Sequence, residues 1–122
     1  ILEKIAGAMK RRPILPEPGE LDLDVLKPLV RRCSLLITND TGARHYAVAF
    51  DVPVVCIMGS TSPLYTHVNL ERQIIVSVEV DCGPCQKKVC ATDHRCMTRI
   101  SPEMVLAAAE KVLSGRLGRL PA

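Results

Sequence analysis

The sequence is poor in aromatic residues: it has no Trp, two Tyr and one Phe among 122 residues. Surfaces that bind single-stranded nucleic acid usually carry aromatic side chains on which bases stack, so this deficit argues against nucleic acid as a partner. The core must instead be built from Val, Ile, Leu, Ala and Met. Short runs of such aliphatic residues are typical of buried strands in parallel α/β sheets.

Long apolar runs and a strong charge imbalance are also missing. No stretch approaches the roughly 18 apolar residues of a transmembrane helix, and no signal-peptide pattern opens the chain. The net charge of +3 is mild, and 48% hydrophobic with 24% charged residues is ordinary for a folded domain. We therefore expect one cytoplasmic domain. Because the chain opens on Ile1 inside a helical pattern, we also expect it to be a piece of a longer protein.

Apolar periodicity predicts helices that alternate with short strands. The predicted helices cover 1–10, a segment from Asp22 or Asp24 to residue 32, 43–50 and 101–115. The predicted strands cover 34–38, 52–58 and 73–80, with at most a short strand within 13–20. This alternation implies a parallel sheet with right-handed crossovers, an α/β Rossmann-like layer structure with flanking helices. Residues 81–98 hold four cysteines and few apolar residues, which predicts a loop that needs a separate means of ordering.

The segment from Thr38 to His45 links a predicted strand to a predicted helix. Ligands of open α/β sheets bind beyond the carboxyl ends of the strands, and a helix start there offers unpaired N–H groups and a positive dipole to phosphates. Gly42 allows close backbone approach, and Thr41 and His45 can donate hydrogen bonds to a phosphate. The alternative is an ordinary helix cap, in which Asp40 or Thr41 accepts from the first backbone N–H groups.

A second polar turn, at 58–63, follows the next strand and lies on the same edge of the predicted sheet. Gly59 and the hydroxyls of Ser60 and Thr61 suit a polyphosphate or sugar hydroxyls, although the turn lacks a Walker lysine and a GxGxxG glycine set. Single arginines are usually solvated, so Arg44, Arg72 and Arg99 are expected at the surface. Cys33 and Cys56 lie in or beside apolar segments and are expected to be inert core residues.

Taken in order, these motifs resemble glycosyltransferase family 9, the ADP-heptose:lipopolysaccharide heptosyltransferases. Residues 37–57 match one continuous run of the family. This run consists of a strand, Asn-Asp-Ser/Thr-Gly, two variable residues, a His, a small-residue helix and a Val-Pro-aliphatic strand. Its Gly-x-Thr/Ser-x-Pro turn matches 59–63, its Cys-x-Pro-Cys segment with later cysteines matches 82–96, and its Leu/Ile-x-Pro-x-x-Val helix start matches 100–105. Residues before Asp24 match poorly.

The resemblance implies a two-domain GT-B fold, with residues 1–122 as the C-terminal nucleotide-sugar-binding domain and the acceptor domain absent. The donor-binding residues would be Asp40, Thr41, Gly42 and His45 from the first segment, with Met58, Gly59, Ser60 and Thr61 from the second. The reaction would be an inverting transfer of heptose from ADP-heptose to a lipid-A-linked core sugar, with no cofactor required for catalysis. The general base would lie in the missing half, so the fragment alone would be inactive. Peripheral association with the inner membrane would be compatible with such an acceptor.

Four cysteines, Cys82, Cys85, Cys90 and Cys96, are spaced C-x2-C-x4-C-x5-C in the polar loop 81–98. So many thiols in a polar loop predict a structural zinc site or disulfides rather than core packing. Two rival functions stay open: a GT-B transferase with another nucleotide-sugar, and a non-catalytic zinc-binding or interaction module. Nucleotide binding separates them, because the module would bind none.

Overall fold

The computed structural model describes residues 2–17, 19–66 and 70–115, and within them the protein is a three-stranded parallel sheet with flanking helices. The helices are α1 (Leu2–Ala8), α2 (Leu23–Arg31), α3 (Gly42–Ala49), α4 (Arg95–Thr98) and α5 (Pro102–Leu113); the strands are β1 (Leu36–Asn39), β2 (Val54–Ile57) and β3 (Gln73–Val76); two 3-10 turns span Pro63–Thr66 and Leu70–Arg72. The Rossmann-like α/β architecture expected from the alternation is therefore confirmed. None of the helices in these ranges is long and apolar enough to span a membrane.

The caps of α2 and α5 follow local sequence chemistry. The Asp22 side chain accepts hydrogen bonds from the backbone N–H groups of Asp24 and Val25, at 3.0 and 2.9 Å, so it caps the first turn of α2. The Ser101 hydroxyl accepts from the Met104 N–H, and Pro102 occupies the first turn of α5, where a missing N–H costs nothing. Both helix starts were visible in the sequence.

The sheet has the order β1-β2-β3, with Leu36 opposite Val54 and Val54 opposite Gln73. Successive residues of β2 point to opposite faces, as in any strand. Val54 and Cys56 pack with Ala47 and the α2 and α3 side of the sheet, whereas Val55 packs with the α5 side. The aliphatic core therefore has two halves, one on each face of the central strand.

The short strand allowed within 13–20 does not form, and the third strand is shorter than predicted. Residues 13–17 and 19–20 form no strand, because prolines at 13 and 16 remove backbone donors; Pro18 lies outside the described residues. The third strand ends at Val76 instead of residue 80. Its neighbour β2 ends at Ile57, which is opposite Val76, so residues 77–80 have no strand with which to pair.

Candidate functional site

The carboxyl ends of β1 and β2 bring the two predicted polar segments to one edge of the sheet. Asn39 ends β1 and lies opposite Ile57, which ends β2. The chain then enters α3 at Gly42 on one side and the 58–63 turn on the other. This is the edge at which open α/β sheets bind ligands.

The first turn of α3 is not capped by a side chain. Thr41 holds the N-cap position with an extended backbone, but its hydroxyl lies 3.1 Å from the Thr38 hydroxyl and accepts from no N–H of the helix. Asp40 does not cap the helix either, since its carboxylate pairs with Arg44. The ordinary helix-cap alternative is therefore not what the structure holds, and the N–H groups at the positive end of α3 receive no side-chain cap from the described residues.

Gly42 and His45 lie on the open side of this helix start. A Cβ added at Gly42 would have no atom within 4 Å, so nothing in the described chain covers this backbone. His45 is exposed and makes no hydrogen bond or ion pair with the described residues. Both are thus accessible to a ligand that approaches the helix end.

Arg44 is the functional-site residue that the sequence analysis placed wrongly. Its side chain is only 1% exposed, and it donates to Asp40 Oδ1 and to Gln73 Oε1, each at 2.9 Å. The buried Gln73 amide nitrogen, by contrast, has no hydrogen-bond partner within the described part of the chain. The Asp40–Arg44 spacing of four residues was the available signal, but on a helix it indicates a surface pair equally well.

This ion pair sets the charge of the helix start. An isolated Asp40 carboxylate would repel a phosphate, because its negative charge would offset the positive potential at the start of α3. Arg44 neutralises this carboxylate through a contact of 2.9 Å, while the Asp40 side chain stays 20% exposed. Asp40 is therefore placed to accept hydrogen bonds, for example from sugar hydroxyls, without cancelling the helix dipole.

A cavity of about 260 Å³ opens beside this helix start, between the ends of β1 and β2 and the cysteine-rich loop 81–98. Its walls include Asp40 and the predicted residues Met58, Gly59, Ser60 and Thr61, but not Thr41, Gly42 or His45. The structure thus divides the predicted donor-binding set in two. One part faces the cavity, and the other faces the open end of α3.

Two of the cavity residues have roles that differ from the predicted ones. The Met58 side chain is 1% exposed and belongs to the core on the α3 side, so it forms the floor of the cavity. A Cβ at Gly59 would lie 2.5 Å from Met97 Sδ and 3.1 Å from Cys96 Sγ. The glycine therefore makes room for the cysteine-rich loop as well as for a ligand.

The family model for glycosyltransferase family 9 (heptosyltransferase) matches residues 1–96. The chain belongs to this family. It is 35% identical over 83 residues to lipooligosaccharide heptosyltransferase 2 of Campylobacter jejuni, covering 66% of this chain and 26% of the relative. It is 26% identical over 125 residues to lipopolysaccharide heptosyltransferase 1 of Pseudomonas aeruginosa, covering 90% and 34%. No solved structure is a significant match. The chain thus spans about a quarter to a third of the length of these relatives.

In this family 9 chain, all four loop cysteines line the cavity, but their side chains do not converge. No three His, Cys, Asp or Glu side chains form a metal-ligand group in ranges 2–17, 19–66 and 70–115, and all six cysteines are free thiols. Stapling of the loop by zinc or disulfides therefore stays a prediction. Within the described residues, Arg95 ties the loop together, since it pairs with Asp93 at 2.9 Å and with Asp81 at 3.2 Å.

The thiols outside and inside the loop differ in environment. Cys56 is fully buried in the core, and burial raises the pKa of its thiol; Cys33 is half-buried and packs against the same cluster. Both were expected to be inert core residues, and both lie where expected. The Thr92 hydroxyl, with the Thr92 N–H, lowers the pKa of the Cys90 thiol. A thiol reagent should therefore modify Cys90 well before Cys56.

Structural zinc at Cys82, Cys85, Cys90 and Cys96 stays a prediction. All four cysteines line one cavity, and zinc binding would have to draw their thiols together around one ion. Protein purified under reducing conditions should contain about one zinc per chain, lost to a chelator together with thermal stability. Cys90→Ser should lower the zinc content, and Cys33→Ser, outside the loop, should not. Four freely titrating thiols without metal would contradict both the zinc and the disulfide versions.

Proposed function

We propose that this chain is the donor-binding domain of an inverting heptosyltransferase, which transfers heptose from ADP-heptose to the inner core of lipopolysaccharide. Membership of family 9 and the similarity to two heptosyltransferases support heptose transfer. The observation that carries the donor assignment is the first turn of α3, whose N–H groups are not capped by any described side chain. A helix end of this kind binds phosphates through backbone donors and its dipole.

Each residue of the helix start then has a stated task. The backbone at Gly42 approaches the diphosphate, and the Thr41 hydroxyl and His45 imidazole donate to its oxygens. The negative charge that develops on the leaving diphosphate is stabilised by these donors and by the dipole, with no metal ion needed for that step. Asp40, held by Arg44, accepts from hydroxyls of the donor. Acceptor binding and the general base belong to the part of the full-length protein outside this chain, as does the second domain of the GT-B fold.

Titration of the ¹⁵N-labelled chain with ADP tests the donor assignment. We expect weak binding in the millimolar range, because half of a two-domain cleft is missing, with amide shifts centred on Thr41, Gly42 and residues 58–61. UDP and GDP in matched titrations separate an adenine donor from the alternative of another nucleotide-sugar. No shifts at millimolar nucleotide, or equal shifts across the chain, would contradict the assignment.

Two glycines offer a matched control for this titration. A Cβ at Gly42 or at Gly7 meets no atom within 4 Å, so alanine at either position should leave the fold intact. Gly42→Ala places a methyl group where the phosphate is expected to approach and should weaken ADP binding. Gly7→Ala, in α1, should leave it unchanged. Equal effects of the two variants would remove the helix end from the binding site.

A further inference from the structure

The cysteine-rich loop contributes cations to the cavity at the ends of β1 and β2. On the sheet side the wall carries Asn39, Ser60 and Thr61, which offer an amide and two hydroxyls; on the loop side it carries Lys87, Lys88 and Arg95. The cysteine spacing by itself indicates only a structural role for this loop. Its placement across the cavity from the polar turn indicates a binding role as well.

The two lysines supply charge that nothing in the described chain neutralises. Arg95 is already paired with Asp93 and Asp81, at 2.9 and 3.2 Å. Lys87 and Lys88 form no ion pair with any described carboxylate, since the ion pairs of ranges 2–17, 19–66 and 70–115 involve arginines only. The acidic wall residue Asp40 is paired with Arg44. Among the cations that line the cavity, Lys87 and Lys88 are therefore the two without a carboxylate partner in the described chain.

The backbone just before these lysines is tied to the opposite wall. The Gln86 N–H donates to the Ser60 carbonyl oxygen at 2.9 Å, which joins the loop to the turn after β2. Gln86 has φ 53, a left-handed conformation that turns the chain sharply at this point. Met97 packs over Gly59 at the other end of the loop, where a Cβ would lie 2.5 Å from its sulfur. These contacts hold both ends of the lysine segment at the cavity.

We propose that Lys87 and Lys88 form a phosphate-binding site in this cavity. Lysine ammonium groups bind phosphate oxygens as point charges, and the hydroxyls of Ser60 and Thr61 can donate from the facing wall. A cavity of about 260 Å³ is smaller than the pockets of roughly 300–1,000 Å³ that enclose whole drug-sized ligands, so it suits a phosphate or diphosphate group and not a complete nucleotide-sugar. The role in transfer rests on the proposed function, whereas the anion site itself does not.

Inorganic pyrophosphate, titrated calorimetrically into the full-length protein, is the probe. The double variant K87Q/K88Q should weaken pyrophosphate binding by about tenfold or more, because each charge-assisted hydrogen bond lost is worth about that factor. K4Q/K111Q removes the same charge from helices α1 and α5, outside the cavity, and should change binding by less than about twofold. K87R/K88R keeps the charge and should restore binding. Lys4, Lys87, Lys88 and Lys111 are all exposed, so unchanged melting curves are expected for all three variants.

ADP and acceptor titrations identify the source of the phosphate. If the affinity for ADP falls with that for pyrophosphate in K87Q/K88Q, the site holds the diphosphate of the donor. If ADP affinity is unchanged and the KM for the acceptor rises, it holds a phosphate on the acceptor. Lysine-dependent pyrophosphate binding without any nucleotide binding would leave this site standing and refute the donor assignment. Pyrophosphate binding that K87Q/K88Q leaves unchanged, or that K4Q/K111Q weakens equally, overturns the proposal.

Discussion

Replacement of Arg44 by alanine should lower the free energy of unfolding by about 3 kcal/mol, the low end of the range for breaking a buried ion pair. The Arg44 side chain is 1% exposed, whereas Asp40 is 20% exposed and can regain some water, which sets the effect at that low end. The variant also removes a donor from the buried Gln73 amide oxygen. Urea denaturation of the wild-type chain and the variant measures the difference.

Arg72→Ala is the matched control for this measurement. Arg72 pairs with Asp51 at 2.7 Å, but the two side chains are 49% and 78% exposed. Exposed ion pairs contribute little to the free energy of unfolding because water and salt screen them. The decrease for Arg72→Ala should therefore stay within about 1 kcal/mol. Equal losses in the two variants would show that the buried pair is not a structural element of the site.

In the full-length protein, His45→Ala should lower the rate of heptose transfer by about 10²-fold or more while stability changes by no more than about 0.5 kcal/mol. The proposed function gives His45 a hydrogen bond to the leaving diphosphate, and such donors act mainly in the transition state. The side chain is exposed and has no partner in the described chain, so its loss should not disturb the fold. Single-turnover rates and melting temperatures of the same preparations separate the two effects.

Two further variants sharpen this test. His45→Gln keeps an N–H donor and should recover part of the rate. Asp40→Ala should lose both activity and stability, because it leaves Arg44 buried without its carboxylate, at a cost of about 3–5 kcal/mol. If His45→Ala retains the full rate, the imidazole is a surface group and its assignment to the donor site is wrong.

Local chemistry was enough to predict much of this fold. The caps at Asp22 and Ser101 and the short aliphatic runs of β1 and β2 depend on neighbours in sequence, and the elements formed there with bounds shifted by one or two residues. The length of β3 depends on where β2 ends, because residues beyond Val76 have no partner in β2. That information lies in the pairing and not in the run of residues 73–80.

Of the candidate site, too, one part could be predicted from the sequence and another could not. The sequence placed Asp40 and the 58–61 turn at one edge of the sheet because strand ends in a parallel sheet coincide. It missed the burial of Arg44, which depends on Gln73, 29 residues further along the chain. It also missed Lys87 and Lys88, since only the folding of the loop over Gly59 brings them to the cavity. Long-range contacts, not composition, determine both features.

The alternation of side chains along β2 has a consequence for how substitutions spread through the domain. Val54 and Cys56 contact the α3 side and Val55 contacts the α5 side, so no single side chain of this strand belongs to both halves of the core. A change of volume at Ala108 or Val112 reaches α3 only through the backbone of the sheet, which parallel pairing on both edges of β2 keeps stiff. The face that carries α5 can therefore accumulate substitutions with little displacement of Asp40 and Arg44, and the two faces can evolve at separate rates.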